Sequence, residues 1–147
     1  MTATKIFAKW ASWGPRLQSV LRIAAAIMFM LAGARKLFNW PAGDPTGGGS
    51  VKLLSQLGAA GVLETFGGGL LALGLFARPV AFLLSGEMAV AYFQVHLPRS
   101  IWPVLNGGMA AALYCFIWLY ISAVGAGPWS LDAWRAKRRA PAPAPVA

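Results

Sequence analysis

The chain has 147 residues, of which 58% are hydrophobic and only 12% are charged, and it carries a net charge of +9. Because soluble domains carry about 25% charged residues, this composition excludes an ordinary soluble surface and favours one membrane-embedded domain. The basic residues cluster near the chain ends beside apolar segments, a pattern that favours anionic lipid headgroups and argues against nucleic acid as their partner.

The apolar segments predict four membrane spans, since about 20 mostly apolar residues cross a bilayer. Their predicted bounds are 17–38, 53–76, 79–97 and 108–124, within a transmembrane domain over residues 17–132. Residues 1–16 alternate aromatic and basic side chains, which predicts a short interfacial helix. Residues 133–147 are basic and then rich in Ala and Pro, which predicts a disordered cytoplasmic tail.

The connections between the spans carry residues that disfavour helix. Residues 39–52 contain two prolines and four glycines, which predicts a flexible loop. Pro79 disfavours helix at Arg78 and is expected to end the second span there. Trp102, in the third connection, suits a membrane interface. Asn106 is expected to cap the N-terminus of the fourth helix.

The distribution of Lys and Arg predicts the orientation of the chain. If the spans alternate in direction, nine basic residues lie on the side of the chain ends and four lie on the other side. The positive-inside rule then places both termini in the cytoplasm, with the chain crossing a bacterial-type inner (plasma) membrane several times. Short connections between the spans predict an all-α, up-down four-helix bundle.

Two carboxylates lie in the middle of predicted spans, Glu64 in the second and Glu87 in the third. An ionised residue inside a membrane is costly, so both are expected to face the bundle interior and to find partners there. Glu64 shares a helical stripe with Gly61 and Gly68, and small residues let a neighbouring helix approach closely. Gly33 is expected to serve the same packing role on the first span.

The first span offers a basic partner for Glu64. Side chains lean toward the N-terminus of their own helix, so Lys36 and Glu64 on antiparallel spans lean toward each other and are expected to pair. Glu87 would add a second carboxylate at a similar depth, and two close carboxylates in a low dielectric share a proton or recruit a cation. Two interpretations stay open: an ion pair that fixes helix register, or a centre that handles protons or anchors a ligand.

Several other side chains are weaker candidates for chemistry. His96 is the only histidine, so it is expected to be an interfacial residue or a hydrogen-bond partner, and no metal site is expected. Cys115 is the only cysteine, so an internal disulfide is excluded and a buried thiol is expected. One face of the fourth span carries aromatic and hydroxyl groups that either pack or line a site for a flat ring: Tyr114, Trp118 and Ser122.

Short motifs form a series along most of the predicted bundle. They are Arg22, Phe29, Gly33, Lys36 and Leu37 in the first span; Leu63-Glu64, Gly67-Gly68, Leu71, Gly74 to Phe76 and Arg78 in the second; Met88, Ala91 to Phe93 and His96 in the third; and Asn106 to Gly108 with Gly127 to Asp132 near the end. In order and spacing, this series resembles the DoxX family of small four-helix membrane proteins. The resemblance covers about Arg22 to Asp132.

The resemblance implies a non-catalytic subunit or scaffold of a quinone- or thiol-linked redox complex. It makes a quinone the candidate cofactor, and it makes the lipid bilayer, a membrane or peripheral redox enzyme and further copies of this chain the candidate partners. It supplies no catalytic residue, so the candidates for a polar centre or ligand site remain Lys36, Glu64, Glu87, His96 and Asn106. Relatives often carry an acid after Asn-Gly-Gly where this chain has Met109, which indicates an altered centre.

A second function stays open, in which Glu64 and Glu87 carry protons or bind substrate in a small proton-coupled transporter or permease. Four short spans are few for a monomeric transporter, so this function requires an oligomer. The sequence contains no cysteine pair, histidine pair or nucleotide-binding motif. Enzyme activity by this chain alone is therefore the third hypothesis.

Overall fold

The computed structural model describes residues 3–42 and 51–139, and within these ranges every regular element is a helix. The helices are α1 (Ala3–Ala11), α2 (Gly14–Phe38), α3 (Gln56–Val62), α4 (Gly68–Leu73), α5 (Ala77–Ala91), α6 (Pro103–Asn106), α7 (Met109–Val124) and α8 (Leu131–Arg139). Two π-helical turns, Leu63–Gly67 and Tyr92–His96, join α3 to α4 and extend α5. The predicted all-α class is confirmed for the described residues.

Two helices are long and apolar enough to cross a membrane, Gly14–Phe38 with 25 residues and the continuous helix Gln56–Leu73 with 18. They correspond to the first two predicted spans. The third predicted span forms α5 and its π-helical turn, and the fourth forms α7, which is apolar but has only 16 residues. Apolar helices of these lengths point to a membrane protein.

The second predicted span ends earlier than expected, and at a different residue. Gly74 has a φ of 66° and ends α4 in the left-handed region, which glycine adopts without steric cost. Phe76 is also left-handed, with a φ of 50°, and α5 begins at the next residue. Pro79 lies in the first turn of α5, where its missing N–H is not needed. The predicted break at Arg78-Pro79 is therefore wrong.

The core lies where α2 packs against α4 and α5 packs against α7. Its largest fully buried apolar side chains come from all four helices: Phe29, Leu71, Leu84, Trp118 and Ile121. Many other large apolar side chains are exposed, including Phe82 and Phe116 at more than 60%. A surface this apolar is typical of helices that face lipid rather than water.

Two glycines allow α2 to lie very close to the helix Gln56–Leu73. A Cβ atom added at Gly33 would lie 2.5 Å from the backbone nitrogen of Thr65. A Cβ atom added at Gly68 would lie 3.0 Å from the backbone nitrogen of Met30. The two backbones therefore pass at a distance that a larger residue at either position would increase.

Polar contacts tie the start of α8 to the turn between α4 and α5. The N–H groups of Phe76 and Ala77 donate to the two carboxylate oxygens of Asp132, at 2.9 and 2.8 Å. The Asp132 N–H donates in turn to the Gly74 carbonyl at 3.0 Å. A carboxylate at a helix N-terminus satisfies free N–H groups and complements the helix dipole. Asp132 therefore stabilises the start of α5.

Part of the predicted disordered tail is helical, because residues 133–139 belong to α8. The Ser130 hydroxyl accepts a bond from the Ala133 N–H at 3.1 Å and caps the helix. Asp132 in the first turn and basic residues in the last turn complement the helix dipole. Residues 140–147, and residues 43–50 of the predicted flexible loop, lie outside the described residues.

Candidate ligand-binding site

The Lys36 ammonium group and the Glu64 carboxylate meet across the interface between α2 and the first π-helical turn. Lys36 Nζ donates to Glu64 Oε1 and forms an ion pair. The Glu64 side chain is only 3% exposed, whereas the Lys36 side chain is 29% exposed. Each side chain leans toward the N-terminus of its own helix, and the two charged groups therefore meet.

The π-helical turn sets the position of the Glu64 side chain. The turn runs over Leu63–Gly67, and the Thr65 hydroxyl within it donates to the Gly61 carbonyl at 2.7 Å. Gly33 on α2 lies directly against this turn, where an added Cβ would come within 2.8 Å of Glu64 Cβ. A π-helical turn widens the helix locally and occurs often at functional sites. Here it directs a carboxylate toward the neighbouring helices.

Glu87 on α5 completes a group of three charged residues, Lys36, Glu64 and Glu87, which we call the polar centre. Glu87 interacts electrostatically with both Glu64 and Lys36. Three of the four carboxylate oxygens are buried and have no hydrogen-bond partner: Glu64 Oε2, Glu87 Oε1 and Glu87 Oε2. Buried polar atoms usually have partners, and one lysine cannot neutralise two ionised carboxylates. The polar centre therefore has spare acceptor capacity for a proton, a cation or a hydrogen-bond donor.

The polar centre lies in the wall of a large pocket of about 1030 Å³. Ligand pockets commonly have volumes of about 300–1,000 Å³, with mainly apolar walls and a few polar groups. This pocket has that composition, because helices α2, α3, α5 and α7 contribute mostly Ala, Leu, Val and Phe to its lining. Its polar lining comes from Lys36, Ser55, Gln56, Glu64, Glu87, His96 and Tyr114.

Aromatic rings form one wall of the pocket. Phe29 and Tyr114 both line it, with ring centroids 4.9 Å apart. Trp118 lies behind them, fully buried, and stacks on Tyr114 at a centroid distance of 5.8 Å. Ser122, which shares the predicted face, donates to the Leu119 carbonyl and is not part of the lining. Of the three residues predicted to pack or to line a site for a flat ring, only Tyr114 therefore reaches the pocket.

His96 lies in the pocket wall at the end of the second π-helical turn. Its Nδ1 atom is 3.1 Å from the Asn106 carbonyl oxygen. A carbonyl oxygen only accepts, so Nδ1 carries the proton, and in the neutral ring Nε2 keeps a free lone pair. His96 thus has a second ring nitrogen available as an acceptor.

Asn106 supports this wall and does not line the pocket. It is 2% exposed, donates to the Ser100 carbonyl at 2.7 Å and accepts from the Gly108 N–H at 2.7 Å. The N-cap of α7 is Gly108, two residues after Asn106, so the prediction that Asn106 caps this helix is wrong. Asn106 instead fixes the turn that precedes α7 and holds His96.

The structure brings four of the five predicted site residues into one pocket: Lys36, Glu64, Glu87 and His96. Among the described residues, no group of three His, Cys, Asp or Glu side chains is arranged to hold a metal ion. Met109 is 52% exposed and lies outside the lining. Met109 therefore does not contribute to the pocket of this chain.

Sequence analysis did not identify the role of Arg22, which is fully buried near the other end of α2. Its guanidinium group donates to the carbonyl oxygens of Leu71 and Ala72, at the end of α4. It also donates to the carbonyls of Ala126 and Trp129, at 2.8 and 2.6 Å. A basic residue inside a predicted span, for which the sequence analysis named no partner, was the available signal for such a role.

Comparison with known proteins identifies relatives over most of the chain. The sequence profile of the DoxX family matches residues 17–97, a range that includes Lys36, Glu64, Glu87 and His96. An uncharacterized protein of Haemophilus influenzae is 43% identical over 121 residues, which cover 80% of this chain and 90% of that protein. No solved structure matches the chain.

Proposed function

We propose a function from the premise that this chain belongs to the DoxX family: it is a non-catalytic membrane subunit that binds a quinone-type ligand for a redox enzyme. The pocket beside the polar centre is the single observation that carries the proposal. The chain lies in the inner membrane of a bacterial-type cell, and a redox enzyme in or on that membrane is its partner. Further copies of this chain are a second candidate partner.

Within this proposal the chain crosses the membrane four times, as an up-down bundle with both termini in the cytoplasm. Contacts near the start of α2 support this arrangement. Gln18 donates to the Gly125 carbonyl just after α7, at 2.7 Å. Arg22 contacts the end of α4, and Asp132 contacts the start of α5. The start of α2, the end of α4, the start of α5 and the end of α7 therefore lie together, as alternating helices require.

The groups in the pocket fit the parts of a quinone-type ligand. The carboxylate oxygens of Glu64 and Glu87 that lack partners accept hydrogen bonds from the hydroxyls of a reduced ring. Lys36, at the rim, donates to a carbonyl of the oxidised ring. Phe29 and Tyr114 supply aromatic faces against which a flat ring packs. The apolar remainder of the lining suits a hydrocarbon tail.

The chain's own side chains bind and orient in this proposal, and they transfer no electrons. A single cysteine and a single histidine provide neither a disulfide couple nor two axial ligands for haem. When bound, a quinone supplies the two-electron chemistry, and the partner enzyme exchanges the electrons. Glu87 and His96 accept hydrogen bonds from the ring at carboxylate oxygens and at Nε2.

Direct binding tests this proposal. We expect decylubiquinol, kept reduced under anaerobic conditions, to bind the protein in lipid nanodiscs with one site per chain, as measured by isothermal titration calorimetry. Glu87→Gln should weaken binding about tenfold, because one charge-assisted hydrogen bond is lost. Lys52→Gln, which removes an exposed charge outside the pocket, is the matched control and should change the affinity less than twofold. No binding, or equal affinity in all three proteins, contradicts the proposal.

Proton-coupled transport is the second candidate function, and both carboxylate oxygens of Glu87 favour it because they are buried and without partners. Carboxylates inside membrane spans are often members of proton relays in pumps and transporters. The pocket would then hold the substrate, and an oligomer would complete the path.

Transport predicts proton-coupled flux in liposomes. A pH gradient imposed across proteoliposomes should drive accumulation of a labelled substrate, and Glu87→Gln should reduce the flux at least about tenfold, as is usual when a protonating group is removed. Lys52→Gln again serves as the control. If amino acids, sugars, organic anions and organic cations all show no flux above empty liposomes, transport is contradicted while the binding test stands independently.

A further inference from the structure

One wall of the pocket is also an outer surface of the molecule. Four residues of α5 line the pocket and are exposed at the same time: Phe82, Leu83, Gly86 and Val90. The three apolar side chains are 68%, 55% and 46% exposed. In a helix that lies in a membrane, exposed apolar side chains at mid-length contact lipid chains. The pocket and the hydrocarbon phase therefore share this face of α5.

Gly86 contributes no side chain to this wall. A Cβ atom added there would have no heavy atom within 4 Å. The glycine is thus not required for helix packing, unlike Gly33 or Gly68, whose added Cβ atoms would lie within about 3 Å of neighbouring backbone. It directly precedes Glu87, so the opening that it leaves lies beside the polar centre. We call the gap bordered by Leu83, Gly86 and Val90 the lateral window.

The opposite wall beside the window is also apolar. The helix Gln56–Leu73 contributes Leu57, 50% exposed, and Leu63, which is partly buried. Gln94 lies in the π-helical turn that follows α5. Its Oε1 accepts a hydrogen bond from Gln56 Nε2, and this bond bridges the two walls at that end of the pocket. A polar bridge at that end and an apolar gap at the side favour access from the lipid.

We propose that the ligand reaches the pocket sideways from the bilayer, through the lateral window at Gly86, and that its tail stays in the window when it is bound. The inference rests on the proposed function, because it assumes a ligand in this pocket. It adds the route of entry and the position of the tail for that ligand, which is an uncharged amphiphile with a flat head that donates hydrogen bonds and one apolar tail. The head lies beside Glu64 and Glu87, and the tail extends past Gly86 into the hydrocarbon.

A substitution that fills the window tests whether the tail of the bound ligand lies in it. Gly86→Leu places a side chain in the gap and raises helix propensity, so the variant should fold with an unchanged or higher melting temperature. We expect its affinity for decylubiquinol to fall at least tenfold. Its affinity for the same hydroquinone head without the decyl tail should change less than twofold, because the head alone fits inside the pocket.

Gly69→Leu is the matched control. Gly69 is a membrane-helix glycine outside the pocket lining, and the nearest atom to an added Cβ is Met30 Sδ at 3.9 Å. This variant should bind both probes as the unaltered protein does. If Gly86→Leu binds decylubiquinol as tightly as Gly69→Leu does, or fails to fold, the lateral window is contradicted. If the unaltered protein binds neither probe, the proposed function itself fails, which is a distinguishable result.

Discussion

Replacing Arg22 with methionine is expected to lower the free energy of unfolding by about 4 kcal/mol, because several charge-assisted hydrogen bonds are lost from a buried site. The guanidinium group satisfies four carbonyl oxygens in three parts of the chain. Two of them, those of Leu71 and Ala72, belong to the last turn of α4, where few helical N–H donors remain. The Leu71 carbonyl also accepts from the Gly74 N–H at 3.0 Å. Methionine fills a similar volume but removes the charged donor from all four oxygens.

The planar shape of the arginine head makes a conservative replacement ineffective. Arg22→Lys keeps the charge but has a single nitrogen, which cannot reach α4 and the carbonyls of Ala126 and Trp129 together. We therefore expect this variant to lose more than half of the stability that Arg22→Met loses. Unfolding in detergent, followed by intrinsic tryptophan fluorescence against temperature, measures both effects.

Arg78 provides a matched control, since it also donates to carbonyls at the end of a helix. It contacts the carbonyls of Ala123 and Val124 at the end of α7, but these contacts are exposed. Exposed charge-assisted contacts contribute about 0–1 kcal/mol, so Arg78→Met should have a small effect. Equal losses for Arg22→Met and Arg78→Met would mean that burial does not determine the importance of Arg22.

The sequence identified the helices and the Lys36–Glu64 contact for clear physical reasons. Long apolar runs have few alternatives to helix in a membrane, because backbone groups must be satisfied within the segment. The depth and lean of two opposite charges on neighbouring spans are enough to predict that their heads converge. Glu64 on its stripe of small residues likewise indicated which face of the helix meets α2, where Gly61 and Gly68 are buried.

Other parts of the site depend on backbone details that short-range patterns do not specify. The partners of Arg22 are backbone carbonyls, and two of them, those of Leu71 and Ala72, lie where α4 ends at Gly74. Sequence analysis ended the second span at residue 76, with the break at Arg78-Pro79, so it could not supply these two partners. The π-helical turn around Glu64 was also not predicted, because such turns are rare and the sequence analysis assumed regular α-helical spacing through the second span.

Lys36→Met is expected to destabilise the protein by about 3–5 kcal/mol, because breaking a buried ion pair leaves an uncompensated charge. Both oxygens of Glu64 would then lack a partner, with Glu87 as a second carboxylate close by. Lys52→Met, at an exposed position, should change stability by no more than about 0.5 kcal/mol. The same fluorescence-detected unfolding in detergent measures both variants.

A double-mutant cycle tests whether the loss comes from this pair. Combining Lys36→Met with Glu64→Gln removes both charges, so the double variant should be more stable than the sum of the single losses predicts, by about 1–3 kcal/mol. Adding Glu87→Gln to Lys36→Met should also restore part of the stability, because it removes the repulsion between the carboxylates. Additive losses in both combinations would mean that these three residues do not interact.

The double variant also separates a structural pair from a ligand site. If the ion pair only fixes the register of α2 against the helix Gln56–Leu73, a stable protein without the pair should bind decylubiquinol with unchanged affinity, since Glu87 remains. If Glu64 Oε2 holds the ligand, the affinity should fall about tenfold even though the fold is retained. Under the proposed function, stability and affinity would respond to different atoms of one carboxylate, because Oε1 is bound to Lys36 and Oε2 has no partner in the protein.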